Sequence, residues 1–109
     1  MSEKAKVTVI TPVKNNLNEQ LAERFLNCVS SVANQTYPSI EHLVVDGNSD
    51  DGTAVILTTQ PSIRYETYPS TSQEDAMNYG VSKATGDYIL FLNAGDALLE
   101  DTEIGRAHV

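Results

Sequence analysis

Polar side chains able to hold an anionic ligand recur at three separated points of the chain. The first group is Thr11, Pro12, Val13, Lys14 and Asn15. The second is Asp46, Gly47, Asn48 and Ser49, and the third is Asn93, Ala94, Gly95 and Asp96. Each group sits at or just past the end of a short apolar run: VTVIT, HLVVD and DYILFLN. Two carboxylates are chemically sufficient for a nucleotide site. An ionised carboxylate only accepts hydrogen bonds, so one can take N–H groups of a base. Another can hold a divalent cation against phosphate oxygens. Lys14, on the first of these loops, could offset phosphate charge directly. Arg64 could do the same, but its strand reads as peripheral.

These groups need elements to bring them together. Val7 to Thr11 is β-branched and almost wholly apolar, which predicts a buried parallel strand ended by Pro12. From Glu19 to Ala33, apolar residues fall at 22, 25, 26, 29, 32 and 33, the spacing of a helix with one buried face. His42 to Asp46 predicts a second buried strand, followed by a tight turn through Gly52 and a short helix from Thr53 to Thr59. Ile63 to Tyr68 alternates and predicts a more exposed strand. Ser70 or Ser72 can cap a helix running to about Ala84, and Gly86 ends it. Asp87 to Asn93 predicts a fourth strand. Strands alternating with helices imply an α/β domain with right-handed crossovers. If the spatial order is 3-2-1-4, the ends of strands 2, 1 and 4 form one crevice at the switch point, where such folds bind ligands.

Several function classes are excluded. The chain has 109 residues, 15 acidic against 7 basic, and a formal net charge of -8, which argues against nucleic-acid binding. No G-x-G-x-x-G follows the first strand and no Walker A sequence is present. The single cysteine, Cys28, can form no intramolecular disulfide and reads as a buried structural thiol. No apolar run of about 18 residues encodes a transmembrane segment. No apolar h-region follows Met1 to Lys6, so a cytoplasmic location is expected, at most peripheral to the inner membrane face in a longer protein. The Asn34-Gln35-Thr36 sequon is then a chance match.

Three segments carry a family resemblance: VTVITPVKN (Val7 to Asn15), LVVDGNSDDGT (Leu43 to Thr53) and DAMNYGVSKATGDYILFLNAGD (Asp75 to Asp96). In order and spacing they resemble the successive motifs of family-2 glycosyltransferases, over about Lys6 to Glu100. The resemblance implies a Rossmann-like GT-A nucleotide-binding half: a mostly parallel sheet of about four strands with helices on both faces. It implies a nucleotide-diphosphate sugar donor, foremost a UDP-sugar, with a divalent Mg or Mn ion. It also implies transfer with inversion to a hydroxyl of an unknown glycan or lipid-linked acceptor. Carried over, Thr11, Pro12 and Val13 would line base and ribose, with Lys14 beside them. Asp46 would accept a hydrogen bond from the base. Asn93 would sit at the ribose side with Ala94, and Asp96 would ligate the metal. Asp75 and Asn78, near the start of the third helix, would lie beside the nucleotide. Two departures stand out. Asn93-Ala94-Gly95-Asp96 replaces an Asp-Asp or Asp-x-Asp, leaving one carboxylate, and Ser70-Thr71-Ser72 replaces an Asp-x-Gly.

Structural roles compete with these. Asp50 and Asp51 fit helix capping, and Ala76, Gly80 and Ala84 fit close packing of a helix on the sheet. His42 reads as a strand-edge residue. An inverting transferase needs a general base for the acceptor hydroxyl. In the family that carboxylate lies well beyond the third motif, so no catalytic residue is expected here, and Leu98 to Asp101 would only begin a further helix. Residues 1–103 are expected to form a truncated donor-binding domain. Ile104-Gly105-Arg106-Ala107-His108-Val109 does not continue the family pattern and is expected to be a non-native tail. The alternatives are a sugar nucleotidyltransferase, which would need a basic glycine-rich loop after the first strand, and a non-functional gene fragment.

Overall fold

A computed structural model describes residues 5–14, 19–47, 59–98 and 104 of the chain. Its elements are β1 (Val7–Val13), α1 (Glu19–Ala33), β2 (Ile40–Asp46), β3 (Ile63–Thr67), α2 (Gln73–Lys83) and β4 (Tyr88–Phe91). The strands form one all-parallel sheet in the order β3-β2-β1-β4. This is the expected α/β layout and the expected strand order. The expected helix at 53–59 and the turn carrying Asn48 to Gly52 lie outside the described residues. So do Asn15 and all but the first residue of the segment 98–101.

Strand alternation sorts the core into two layers. Val7, Val9, Thr11 and Val13 of β1, with His42 and Val44 of β2, face α1. There they meet Phe25, Cys28, Val29 and Val32. These four helical residues are all buried and follow the three-and-four spacing of an amphipathic helix. Ile10, Leu43 and Val45 face the other way and pack against Ala76 of α2. Gly80, one turn after Ala76, lies so close to the sheet that a Cβ there would come 2.7 Å from Ile10 Cγ2. Ala76 and Gly80 therefore serve close packing of α2 on the sheet. Ile104 is also buried, beside Val7, Val9 and Cys28, and its amide donates to Gln35 Oε1 at 3.0 Å.

Two sequence expectations need correction. β1 does not end at Pro12 but runs through it to Val13. The reason lies in the ladder. The Ile10 carbonyl accepts from Leu92 N, so even-numbered backbone groups of β1 face β4, while the Val13 carbonyl faces β2 and accepts from Gly47 N. β4 pairs only with Val7 to Ile10. The missing N–H of Pro12 thus falls where no strand would have received it. His42 is not at a strand edge either. It lies on β2, between β1 and β3, and is 3% exposed.

The end of the sheet away from the polar loops is tied by Glu41. Its carboxylate accepts from Thr8 Oγ1 (2.8 Å), Arg64 Nη1 (2.9 Å), and the amide and hydroxyl of Thr85 (3.1 and 3.0 Å). Burial pushes its pKa up, but these hydrogen bonds outweigh burial and hold it at about 2. Arg64 also pairs with Glu66 at 3.2 Å, so its guanidinium serves the sheet, as its peripheral position suggested. Among the described residues no helix is long and apolar enough to cross a membrane.

Candidate functional site

A cleft of about 320 Å³ opens at the C-terminal ends of β1 and β4. In the order β3-β2-β1-β4, the chain leaves β1 toward β2 but later crosses back to place β4 on its other side. The switch point therefore lies between β1 and β4, where loops diverge and a crevice must form. The cleft is lined by residues 12–14 after β1, 93–94 after β4, and 70–73 with Ala76 at the start of α2. Its size falls at the lower end of ordinary small-molecule sites.

Five of the ten residues singled out from sequence meet here: Pro12, Val13, Lys14, Asn93 and Ala94. The other five do not line the cleft. Thr11 is fully buried beneath it, its hydroxyl 2.8 Å from His42 Nε2 and 3.9 Å from Cys28 Sγ. Asp46 ends β2 at 1% exposure, its carbonyl accepting from Tyr68 N. Asp75 shapes the loop instead: its carboxylate accepts from the Thr71 amide at 3.0 Å and the Tyr68 hydroxyl at 3.4 Å. Asn78 is exposed on α2. Asp96 is exposed in the turn after β4, which its own amide closes onto the Asn93 carbonyl at 2.9 Å.

Residues 70–73 were missed as site residues. They were legible only as a polar run and a helix cap. The cap is real: Ser72 has extended backbone and its side chain accepts from Asp75 N at 3.1 Å. That fixes Gln73 as the first helical residue, facing the cleft, where its Nε2 donates to Asn93 Oδ1. Gly47 sits behind the opposite wall. A Cβ there would come 2.9 Å from Ser70 Oγ and 3.2 Å from Lys14 Cδ, so the two walls approach each other over a bare backbone. Lys14 is exposed and is the cation of the lining. The remaining polar lining is hydroxyl and amide, which suits a ligand rich in oxygen atoms.

The buried layer beneath is inert. Burial raises the Cys28 thiol to about 11; the Thr11 hydrogen bond opposes this and the Asp96 charge adds to it. Cys28 therefore stays protonated near neutrality, as a structural thiol should. Among the described residues no group of three or more His, Cys, Asp or Glu side chains could enclose a metal. A divalent cation would have to be held mainly by the ligand's own phosphates and water. Mg²⁺ accepts that with one carboxylate.

An open parallel sheet with helices on both faces and an oxygen-seeking cleft at its switch point defines a Rossmann-like nucleotide-binding class. Residues 8–106 match Glycosyl transferase family 2, and the chain belongs to that family. Similar curated proteins include a PGL/p-HBAD biosynthesis glycosyltransferase of Mycobacterium tuberculosis. It is 40% identical over 84 residues, covering 72% of this chain and 33% of that protein. An uncharacterized glycosyltransferase of Mycobacterium tuberculosis is 36% identical over 99 residues, covering 88% and 36%. The chain thus spans about a third of the length of these relatives. Among solved structures, a mannosyltransferase from Pyrobaculum calidifontis in complex with GDP-Man and Mn²⁺ matches with TM-score 0.74 and 26% identity, over 92% of this chain and 30% of that one. S. aureus TarS in complex with UDP shares the fold at TM-score 0.73 and 21% identity, over 94% and 31%. The arrangement is the GT-A one.

Proposed function

We propose that the cleft binds the nucleoside diphosphate of a sugar donor, foremost a UDP-sugar, for transfer of the sugar to an acceptor hydroxyl with inversion. The observation that carries this is the meeting of the loops after β1 and β4 with the start of α2 around one exposed lysine. Pro12 and Val13 offer an apolar wall for base and ribose. Lys14 lies where phosphate oxygens would need a counter-charge. Ser70 and Thr71 supply hydroxyl partners opposite. The Asp46 carbonyl supports the loop after β3 by accepting from Tyr68 N, and the Asp75 carboxylate holds the same loop from the side of α2 by accepting from Thr71 N. A Mg²⁺ or Mn²⁺ ion, when bound, would offset the charge that develops on the diphosphate as the sugar leaves, and Asp96 would hold it. The complexes of two structural neighbours with UDP and with GDP-Man and Mn²⁺ favour this ligand class.

No residue described here is assigned as the base that deprotonates the acceptor. Donor binding is therefore the part of the reaction assigned to the residues described here. The test is calorimetry with UDP, with and without Mn²⁺, on the wild type, Lys14→Ala and Asp96→Ala. The expected result is Mn²⁺-enhanced binding by the wild type. Lys14→Ala should weaken binding with or without metal, whereas Asp96→Ala should remove only the enhancement. No binding of UDP or GDP by the wild type would overturn the reading. Undiminished Mn²⁺ enhancement in Asp96→Ala would remove that residue from the metal.

A further inference from the structure

The Gln73–Asn93 contact has a chemical consequence beyond closing the cleft mouth. A side-chain amide carries an acceptor oxygen and a donor nitrogen on opposite arms. Asn93 Oδ1 accepts from Gln73 Nε2, an arrangement that uses the oxygen of Asn93 and the nitrogen of Gln73. Asn93 Nδ2, with two N–H groups, is then the arm left for a ligand in the cleft that Asn93 lines. The backbone is held on both sides of the pair. Gln73 is held at the first position of α2 by the Ser72 cap, and the loop before it by the Asp75 carboxylate on the Thr71 amide. Asn93 is held by the turn bond to Asp96 N, and its neighbour Leu92 by the ladder bond to Ile10. Both side chains are exposed, so their pairing contributes little to stability and its geometry is available to a ligand.

We propose that Gln73 is a specificity-determining positioning residue. It turns the Asn93 amide so that Nδ2 donates to an oxygen of the ribose or diphosphate, and leaves Asp96 as the carboxylate of that turn for a cation. A carboxylate at position 93 could only accept, and would draw a cation to the place where the amide draws an anionic oxygen. The proposal rests on the nucleotide reading of the cleft. It predicts that part of the affinity is independent of metal and passes through residue 93.

The test uses UDP titrations, with and without Mn²⁺, on the wild type and on Gln73→Glu, Gln73→Ala, Asn93→Asp and Asn93→Ala. Gln73→Glu is nearly isosteric, but its carboxylate can bond Asn93 only through Nδ2, which reverses the amide. Metal-free affinity should fall about threefold to tenfold, the scale of one hydrogen bond, with an unchanged melting temperature. Asn93→Asp keeps the bond from Gln73 Nε2 yet presents no donor. It should lose metal-free affinity and steepen the Mn²⁺ dependence. Gln73→Ala combined with Asn93→Ala should bind no more weakly than Asn93→Ala alone. In the wild type, the Asn93 side-chain amide NMR signals should shift when UDP is added, and in Gln73→Glu they should not. Wild-type binding with an unaltered Gln73→Glu affinity, or additive effects in the double variant, overturns this proposal and leaves the nucleotide reading standing. A wild type that binds no nucleotide overturns both.

Discussion

His42 should make this domain lose stability in mild acid, at higher pH than Glu41 does. Burial lowers its pKa from 6.5 to about 4, since the interior disfavours the imidazolium. Nε2 is engaged by Thr11 Oγ1 at 2.8 Å, and Nδ1 has no hydrogen-bond partner among the described residues. The unfolded chain therefore takes up the proton at higher pH than the folded one. The stability due to neutral His42 is complete above pH 6.5 and declines as pH falls toward 4. With these two values the loss is about 2 kcal/mol at pH 5 and approaches about 3 kcal/mol near pH 4. That is a large part of the stability of a small domain. Glu41, held at about 2 in the fold, loses its contribution only as pH falls below its ordinary value of 4.5, so the two windows separate. The assay is urea unfolding at pH 8.0, 6.5, 5.5 and 5.0 on the wild type and on His42→Gln, whose amide can still reach Thr11. The variant should be less stable at pH 8.0 but nearly flat down to pH 5.0. An equal fall in both proteins between pH 6.5 and 5.0 would refute the reasoning, because some other group would then carry the titration.

Other perturbations follow from the same geometry. Gly80→Ala would press a methyl within 2.7 Å of Ile10 Cγ2; it should destabilise by about 1–2 kcal/mol in urea unfolding, despite the better helix propensity of alanine. Gly47→Ala would place a Cβ 2.9 Å from Ser70 Oγ and 3.2 Å from Lys14 Cδ, so it should weaken UDP binding more than it lowers the melting temperature. Ser72→Ala removes the cap of α2 and should cost about 1 kcal/mol by thermal or urea unfolding. β4 exposes Tyr88 (54%), Ile89 (37%) and Phe91 (47%) on a strand paired only with β1 among those described. Ile89→Lys should therefore reduce concentration-dependent association in light scattering without changing UDP affinity.

The centre of the sheet was legible because β1 and β2 are buried on both faces and read as apolar runs, β3 because it alternates, and α1 because its apolar residues keep a helical period. Strand order was assumed from the alternation of elements, and the ladder bears it out. Pro12 was misjudged because a proline inside a sheet ordinarily stops a strand. Whether it does depends on which neighbour its nitrogen would have faced, and that is a property of the sheet. His42 was misjudged for a similar reason. A histidine in a five-residue apolar run gives no local sign of whether a hydroxyl will stand across from it, and Thr11 does so from another strand.

The cleft shows the same division between what is local and what is not. Residues that follow a strand directly, such as Lys14 and Asn93, could be placed in a crevice from position alone. Thr11 and Asp46 were adjacent in sequence to the right place, but the period of two sends their side chains into the α1 layer. Gln73 carried no signal, because its role depends on a cap at Ser72 and on an amide 20 residues away. On the proposed reading, this pattern lets a turn with a single carboxylate serve a nucleotide site. The acceptor atoms of a diphosphate need donors as much as they need a metal, and an oriented amide supplies two. A turn with Asn93 held by Gln73 and Asp96 left open divides those tasks between two side chains, and that division is what separate substitutions at 73, 93 and 96 would resolve.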